Sequence, residues 1–118
     1  MKESFNDEFR RRTKQNALAI IKLFSIMKSR EELRIIGKQL IRSGCSVAAN
    51  FRASCRARSR AEHYSKLCIV VEERDETLFW LEMIEEAGLI DSKTLTPIKQ
   101  ETLSILQVLS KARKNLKN

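Results

Sequence analysis

Apolar residues recur every three or four positions through four long stretches of the chain, the spacing that places them along one side of an α-helix. In the last stretch, Leu95, Ile98, Ile105 and Leu109 follow this spacing. Because helices joined by short connections alternate in direction, the pattern predicts an all-α protein, an antiparallel up-down four-helix bundle. The four predicted helices cover approximately residues 7–27, 30–56, 60–87 and 95–115.

Three short signals mark where these helices begin and end. Ser29 with Glu32, and Ser59 with Glu62, have the spacing of a capping box, in which a hydroxyl and a carboxylate bind free backbone N–H groups at a helix start. Gly88 has the position of a left-handed residue that ends the third helix. With only three Gly and one Pro in 118 residues, the chain has few other turns, and a single domain over residues 1–118 is expected.

Composition predicts a cytoplasmic protein that does not enter a membrane. No stretch approaches the roughly 20 apolar residues that span a bilayer, and the first residues do not have the pattern of a signal peptide. The three cysteines, Cys45, Cys55 and Cys68, are odd in number and widely spaced. They therefore predict small core residues in a reducing compartment rather than a disulfide framework.

The net charge of +8 is unevenly distributed along the chain. Residues 67–91 carry a net charge of −7, whereas residues 1–29, 30–66 and 92–118 carry +4, +6 and +5. The third predicted helix is therefore acidic and the rest of the chain is basic. A high isoelectric point with charge concentrated on helix faces is typical of nucleic-acid binding.

The second predicted helix carries a stripe of candidate phosphate contacts. Positions 34, 38, 42, 45, 49, 52 and 56 step by four or three residues, so they form one line about 33 Å long. Five of these positions are basic, and two arginines extend the line into the next turn. We expect this stripe to bind the backbone of RNA or DNA with low sequence specificity. Its basic residues are Arg34, Lys38, Arg42, Arg52, Arg56, Arg58 and Arg60.

The same charges have two other interpretations. Basic residues on a helix are often no more than a solvated surface. Alternatively, the stripe faces the acidic third helix of a neighbouring subunit and serves assembly. The aromatic residues are scattered rather than interleaved with the basic ones, so stacking on bases is not expected.

The sequence contains no recognisable catalytic or metal-binding constellation. Bundles that hold paired iron or manganese need Glu-x-x-His on two helices, and the single histidine, His63, belongs to no such motif and is expected at the surface. The chain also lacks a glycine-rich phosphate loop and any Cys-His or Ser-His-Asp set with sequence support. We therefore expect neither an enzyme nor a bound metal or cofactor.

A group of polar residues lies on one side of the second predicted helix. Ser43, Ser46 and Asn50 are three and four positions apart, and polar side chains on a partly buried face need partners. Glu73 or Glu76 on the third helix could supply those partners. We interpret the set as a structural hydrogen-bond network that fixes helix register, and a ligand site is the alternative.

Three segments carry a likeness to a known family. They are Ile-Gly-Lys-Gln-Leu-Ile-Arg-Ser-Gly-Cys-Ser-Val-Ala-Ala-Asn from Ile36, Arg-Ala-Arg-Ser from Arg56, and Glu-Glu-Arg-Asp-Glu-Thr-Leu-Phe-Trp-Leu-Glu from Glu72. Together they resemble the four-helix-bundle proteins encoded by intervening sequences in bacterial large-subunit ribosomal RNA genes. That family includes the accessory variability proteins of diversity-generating retroelements, and the likeness covers roughly residues 8–115.

The resemblance implies a homo-oligomeric, pentameric barrel of bundles with a basic surface. Its retroelement members also bind a reverse transcriptase and nucleic acid. Many relatives carry a glutamate three residues after the asparagine, where this chain has Ala53, so no role of that glutamate is carried over. The sequence favours a non-enzymatic accessory protein that binds RNA or DNA as a homo-oligomer. The alternative is an adaptor or assembly module, for example one that docks a reverse transcriptase.

Overall fold

The computed structural model describes residues 2–117, apart from the side chain of Lys117. It contains four helices: α1 (Phe5–Met27), α2 (Glu31–Cys55), α3 (Arg60–Ala87) and α4 (Ser92–Lys117). Each helix packs against two neighbours in the ring order α1, α2, α3, α4, and the most extensive contact joins α2 and α3. This arrangement confirms the predicted up-down four-helix bundle. None of the described helices is long and apolar enough to cross a membrane.

The two predicted capping boxes have different outcomes. The hydroxyl of Ser59 accepts a hydrogen bond from the backbone N–H of Glu62 at 3.1 Å, which confirms the predicted start of α3. The prediction at Ser29 is wrong, because Arg30 occupies the N-cap position of α2 and no side chain caps that helix. The carboxylate of Glu32 instead lies 3.3 Å from Nε of the Arg30 side chain.

The connection between α3 and α4 is shorter than predicted. Gly88 ends α3 in the left-handed conformation with φ of 68°, as the sequence indicates. Asp91 then caps α4, since its Oδ1 accepts a hydrogen bond from the backbone N–H of Thr94 at 2.9 Å. The helix therefore begins at Ser92, three residues earlier than predicted, and Pro97 lies inside it.

Two glycines of α2 allow α1 to approach closely. A Cβ atom at Gly37 would lie 2.5 Å from Cδ1 of Phe24, and one at Gly44 would lie 2.8 Å from Cδ1 of Ile20. Both distances are shorter than a normal van der Waals contact, so a side chain at either position would require its neighbour on α1 to move.

The core consists of two apolar clusters, each with eight buried residues. One cluster lies where α1 and α3 begin, and the other lies where they end. Burial of such side chains is the main source of stability in a bundle of this size. The first cluster contains Phe9, Val47, Phe51, Leu67, Val70, Val71, Ile105 and Leu109, and the second contains Ile20, Leu23, Met27, Leu33, Leu40, Leu81, Ile84 and Leu95.

A layer of polar side chains lies between the two clusters, and we call it the central polar layer. Arg74 is 1% exposed and donates to Oδ1 of Asn16, to which Thr102 also donates at 3.4 Å. Thr77 donates to the hydroxyl of Ser43 at 2.8 Å. Burial lowers the pKa of Arg74 to about 10, so the guanidinium remains charged at neutral pH. Its Nε and Nη2 atoms have no hydrogen-bond partner within the described part of the chain.

Candidate nucleic-acid interface

The central polar layer separates two halves of the bundle that differ in charge. Residues 2–15, 44–73 and 103–117 form one half, which contains 14 basic and 6 acidic residues. Residues 16–43 and 74–102 form the other half, which contains 9 basic and 9 acidic residues. We call them the basic half and the balanced half. The whole net charge of +8 therefore belongs to the basic half.

The predicted basic stripe crosses the boundary between the two halves. All seven of its side chains are exposed, as a phosphate contact requires. However, the surrounding charge differs, since only one half of the bundle has a net positive charge. The stripe is therefore not one uniform basic surface. Arg52, Arg56, Arg58 and Arg60 lie in the basic half, and Arg34, Lys38 and Arg42 lie in the balanced half.

Arg42 is already paired with carboxylates of α3. Its Nη1 donates to Glu73 at 3.1 Å, and its Nη2 donates to Glu76. The indole N–H of Trp80 donates to the same carboxylate of Glu76 at 3.1 Å. The hydrogen bond from Trp80 is the main cause that lowers the pKa of Glu76, and the bond from Arg42 adds to it. A phosphate at Arg42 would have to compete with two carboxylates, so Arg42 is less available to a phosphate than an arginine without a carboxylate partner.

The stripe residues of the basic half have fewer carboxylate partners than Arg42. The Nε atom of Arg58 lies 3.7 Å from the Glu62 carboxylate, and Nη2 of Arg60 donates to the backbone carbonyl of Leu116 at 3.0 Å. Within residues 2–117, no carboxylate lies within 4.0 Å of the guanidinium of Arg52 or Arg56. These two side chains therefore keep all their donors for a ligand.

The predicted polar network around Asn50 has other partners than expected. The amide of Asn50 donates to the carbonyl and the hydroxyl of Ser46, at 2.9 and 3.0 Å, so both bonds stay within α2. Ser43 is bonded to Thr77 rather than to a glutamate. Glu73 and Glu76 are bonded to Arg42 instead, as described above. The predicted residues thus form three separate groups rather than one network. Ser43 is buried in the central polar layer, Ser46 and Asn50 bond to each other within α2, and the half-buried Glu73 and Glu76 pair with Arg42.

A groove of about 710 Å³ runs between α1 and α2 in the basic half. Four cationic side chains surround it, three from α1 and one from α2, and its floor consists of small residues. Small side chains allow a ligand backbone to approach the helices closely. We call it the α1–α2 groove. Its lining residues are Arg10, Arg11, Lys14, Ala17, Cys45, Ala48, Ala49 and Arg52.

The cations of the groove differ in their pairing. Arg10 and Arg11 are bonded to the exposed carboxylates of Asp7 and Glu3, which weakens but does not cancel their field. Lys14 and Arg52 have no carboxylate within 4.0 Å among the described residues. Exposed ion pairs of this kind contribute little stability, so a phosphate could replace either carboxylate at small cost.

Sequence reasoning missed the α1 contribution to this groove. Arg10, Arg11 and Lys14 lie outside the predicted stripe, although residues 1–29 carry a net charge of +4. That excess was the available signal. Periodicity along one helix identifies its own face, but it gives no information about which face of another helix lies beside it.

The remaining residues with reactive side chains are one histidine and three cysteines. His63 is half-buried rather than fully at the surface, and its Nδ1 lies 2.7 Å from the carbonyl oxygen of Ser54. The three cysteines are free and half-buried rather than buried core residues, and Cys55 packs against the first core cluster. Within residues 2–117, His, Cys, Asp and Glu side chains form no group of three or more that could hold a metal ion.

Comparison with known proteins agrees with the fold. The chain is similar to a protein of unknown function from the S23 ribosomal protein family of Bacteroides thetaiotaomicron, known from a crystal structure. The two share 28% sequence identity with a TM-score of 0.83, over 89% of this chain and 97% of the other. No curated protein matches the chain. Residues 7–111 match the 23S rRNA-intervening sequence protein family, and the chain therefore belongs to that family.

Proposed function

We propose that this protein is a non-enzymatic accessory protein that binds the phosphate backbone of RNA or DNA through its basic half. The supporting observation is that the whole net charge of +8 belongs to one half of the bundle. Such a concentration of charge attracts a polyanion from a distance and orients it before contact. The function of the family is unknown, so the proposal rests on this chain's own surface.

The α1–α2 groove is the proposed centre of the interface. Lys14 and Arg52 offer unpaired donors from its two sides, and Ala48 and Ala49 leave room between them. Arg56, in the basic half, extends the same surface towards the turn before α3. Contacts to phosphate carry no sequence information, so we expect affinity for many sequences and steep salt dependence.

The test compares two double charge reversals of equal size. Lys14→Glu with Arg52→Glu changes the groove, and Arg34→Glu with Lys38→Glu makes the same charge change on α2 in the balanced half. Fluorescence anisotropy with labelled duplex and single-stranded RNA should show at least about a tenfold loss of affinity for the first variant. The second variant should lose less than about threefold. Equal losses would mean that total charge alone matters, and absence of binding by the unmodified protein at low salt would refute the proposal.

We also propose an alternative role as an assembly or adaptor module, because α3 exposes two large apolar side chains. Phe79 and Met83 are 49% and 43% exposed and lie one turn apart on the acidic helix. Apolar residues within a charged surface are common where proteins meet, and a basic face of another copy or of a reverse transcriptase would complement the charge. Substituting both by serine should release subunits in native mass spectrometry, and an unchanged subunit number would count against assembly through this face.

A further inference from the structure

A second basic recess lies at the same end of the bundle as the α1–α2 groove, on its opposite side. It is a cleft of about 670 Å³ between the beginning of α3 and the end of α4. α3 contributes an aromatic ring and α4 contributes three cations with two small polar side chains. We call it the Tyr64 cleft. Its lining residues are Tyr64, Ser110, Lys111, Arg113, Lys114 and Asn115.

The α4 side of this cleft is basic, with no acidic residue to offset its charge. Residues 103–117 contain four basic residues and no acidic residue. Among the described residues, no carboxylate lies within 4.0 Å of Lys111, Arg113 or Lys114. Arg60 ties the two walls together, because its Nη2 donates to the carbonyl of Leu116 at 3.0 Å. The cleft therefore has unpaired cations at a site whose walls are linked.

Tyr64 differs from the other aromatic residues in its surroundings. Phe9 is buried in the core, and the exposed Phe5 packs on it with ring centroids 4.7 Å apart. Phe79 packs against Trp80 in the balanced half with ring centroids 5.0 Å apart. Tyr64 is half-buried and borders the open cleft. Tyr64 is therefore an aromatic residue that a ligand in the cleft would contact.

The phenol of Tyr64 adds no negative charge to the cleft. Contact with the Cys68 side chain one turn away raises the pKa of Tyr64, while the positive charge of Arg113 acts in the opposite direction. The net shift is upward, so the ring stays neutral at physiological pH. A neutral aromatic ring beside cations suits a ligand that is flat at one end and anionic at the other.

We propose that the Tyr64 cleft binds one unpaired nucleotide, with its base stacked on Tyr64 and its phosphates on Lys111, Arg113 and Lys114. This inference rests on the proposed function and adds to it a preference for single-stranded nucleic acid. Bases inside a duplex are covered on both faces, so only an unpaired base or a strand end can stack on a side chain. It also reverses the sequence-based expectation that bases are not contacted, because folding brings Tyr64 of α3 beside the basic end of α4.

The position of the cleft fits a strand that continues from the α1–α2 groove. In the ring order of the helices, the groove and the cleft lie on opposite sides, and both lie in the basic half. The turn between α2 and α3, which carries Arg56 and Arg58, joins the two sides at that end. A single strand bound in the groove can therefore reach the cleft over a surface that stays basic.

The experiment uses a single-stranded RNA that carries one 2-aminopurine, a base whose fluorescence is quenched on stacking, and a duplex RNA of the same length. The unmodified protein and the variants Tyr64→Leu and Tyr64→Phe are compared, each after its melting temperature has been measured. We expect the unmodified protein and Tyr64→Phe to quench the probe at saturation, and Tyr64→Leu to quench much less. Loss of stacking should weaken single-strand binding by about five- to tenfold and leave duplex binding unchanged.

The outcomes separate this inference from the proposed function. The groove variant Lys14→Glu with Arg52→Glu should bind all probes more weakly, yet it should still quench 2-aminopurine at saturating protein. If Tyr64→Leu quenches and binds single strands like the unmodified protein, the stacking site is refuted while phosphate binding stands. Failure of the unmodified protein to bind any nucleic acid at low salt would refute both.

Discussion

The two halves of the bundle have cores of equal size but surfaces of different charge. Each core cluster contains eight buried residues, yet one half holds 14 basic and 6 acidic residues and the other holds 9 of each. Stability therefore does not require the asymmetry, because the balanced half folds on the same kind of core. Self-repulsion among clustered cations destabilises the basic half, and the anionic partner that we propose would offset this repulsion.

The largest effect is expected in the layer that joins the two halves. Asn16→Leu removes the acceptor of the buried Arg74 guanidinium, whose other two nitrogens already lack partners in the described structure. We expect the free energy of unfolding to fall by about 3 kcal/mol, because an uncompensated buried charge is costly. Urea unfolding of the unmodified protein and of Asn16→Leu measures this difference in free energy. The control is Asn50→Ala, whose amide bonds only within α2, and a loss of about 1 kcal/mol or less is expected there.

A double variant makes this prediction sharper. Adding Arg74→Met to Asn16→Leu removes the charge as well as its acceptor, and an apolar side chain of similar length fills the same space. Much of the lost stability should then return. A double variant that is less stable than Asn16→Leu alone would show that the guanidinium is satisfied by other means.

The second effect compares two close contacts between α1 and α2, one at a glycine in each half. Gly37→Ala in the balanced half places a Cβ against the ring of Phe24, and overpacking of this kind costs about 1–3 kcal/mol. Gly44→Ala, at the edge of the basic half, meets only the terminal methyl of Ile20, which can move. Because alanine favours a helix over glycine by about 1 kcal/mol, Gly44→Ala should be close to neutral. Thermal unfolding would contradict the argument if Gly44→Ala were the more harmful change.

A smaller effect is expected in acid. The Arg12 guanidinium donates to the Glu101 carboxylate at 2.7 and 2.9 Å and holds the pKa of that carboxyl below its ordinary 4.5. Stability from this pair is complete above pH 4.5 and is lost as the pH falls through the lower pKa of the folded state. Glu101→Gln should therefore flatten the loss of stability below pH 4.5, by less than about 1 kcal/mol because the pair is only partly buried. Glu86→Gln, an exposed position, is the control and should leave the profile unchanged.

The smallest effect tests the floor of the α1–α2 groove. Ala49→Leu keeps the charge and the helix propensity but fills the space between Lys14 and Arg52. Affinity for RNA should fall about threefold, while the melting temperature should stay the same because position 49 is exposed. Unchanged affinity would show that the ligand contacts the cations without entering the groove.

The features that the sequence predicts well are those that depend on residues close together in the chain. The capping bond of Ser59 and the left-handed conformation of Gly88 each depend on residues within four positions in the chain. Both were therefore predictable. Ser29 has the same local signal, but Arg30 takes the N-cap position and no side chain caps α2. Each of the two glutamates lies near an arginine, so the local pattern alone does not separate the cap that forms from the one that does not.

The candidate site shows the same limit more strongly. Periodicity grouped Arg34, Lys38 and Arg42 with Arg52 because all lie on one face of α2. It did not indicate that Glu73 and Glu76 of α3 pair with Arg42. These partners lie more than 30 positions away in the chain, so only the packing of α2 on α3 determines them.

The sequence by itself determined the four helices, their alternating direction and the basicity of the chain, because these depend on local periodicity and composition. Only the tertiary structure decided where that basicity is concentrated. Antiparallel packing brings the beginnings of α1 and α3 beside the ends of α2 and α4. Basic residues that lie far apart in sequence are thereby collected in one half of the bundle. Among the described residues, the same packing places carboxylates beside Arg42 and none beside Arg52, although the two arginines occupy one stripe of a single helix.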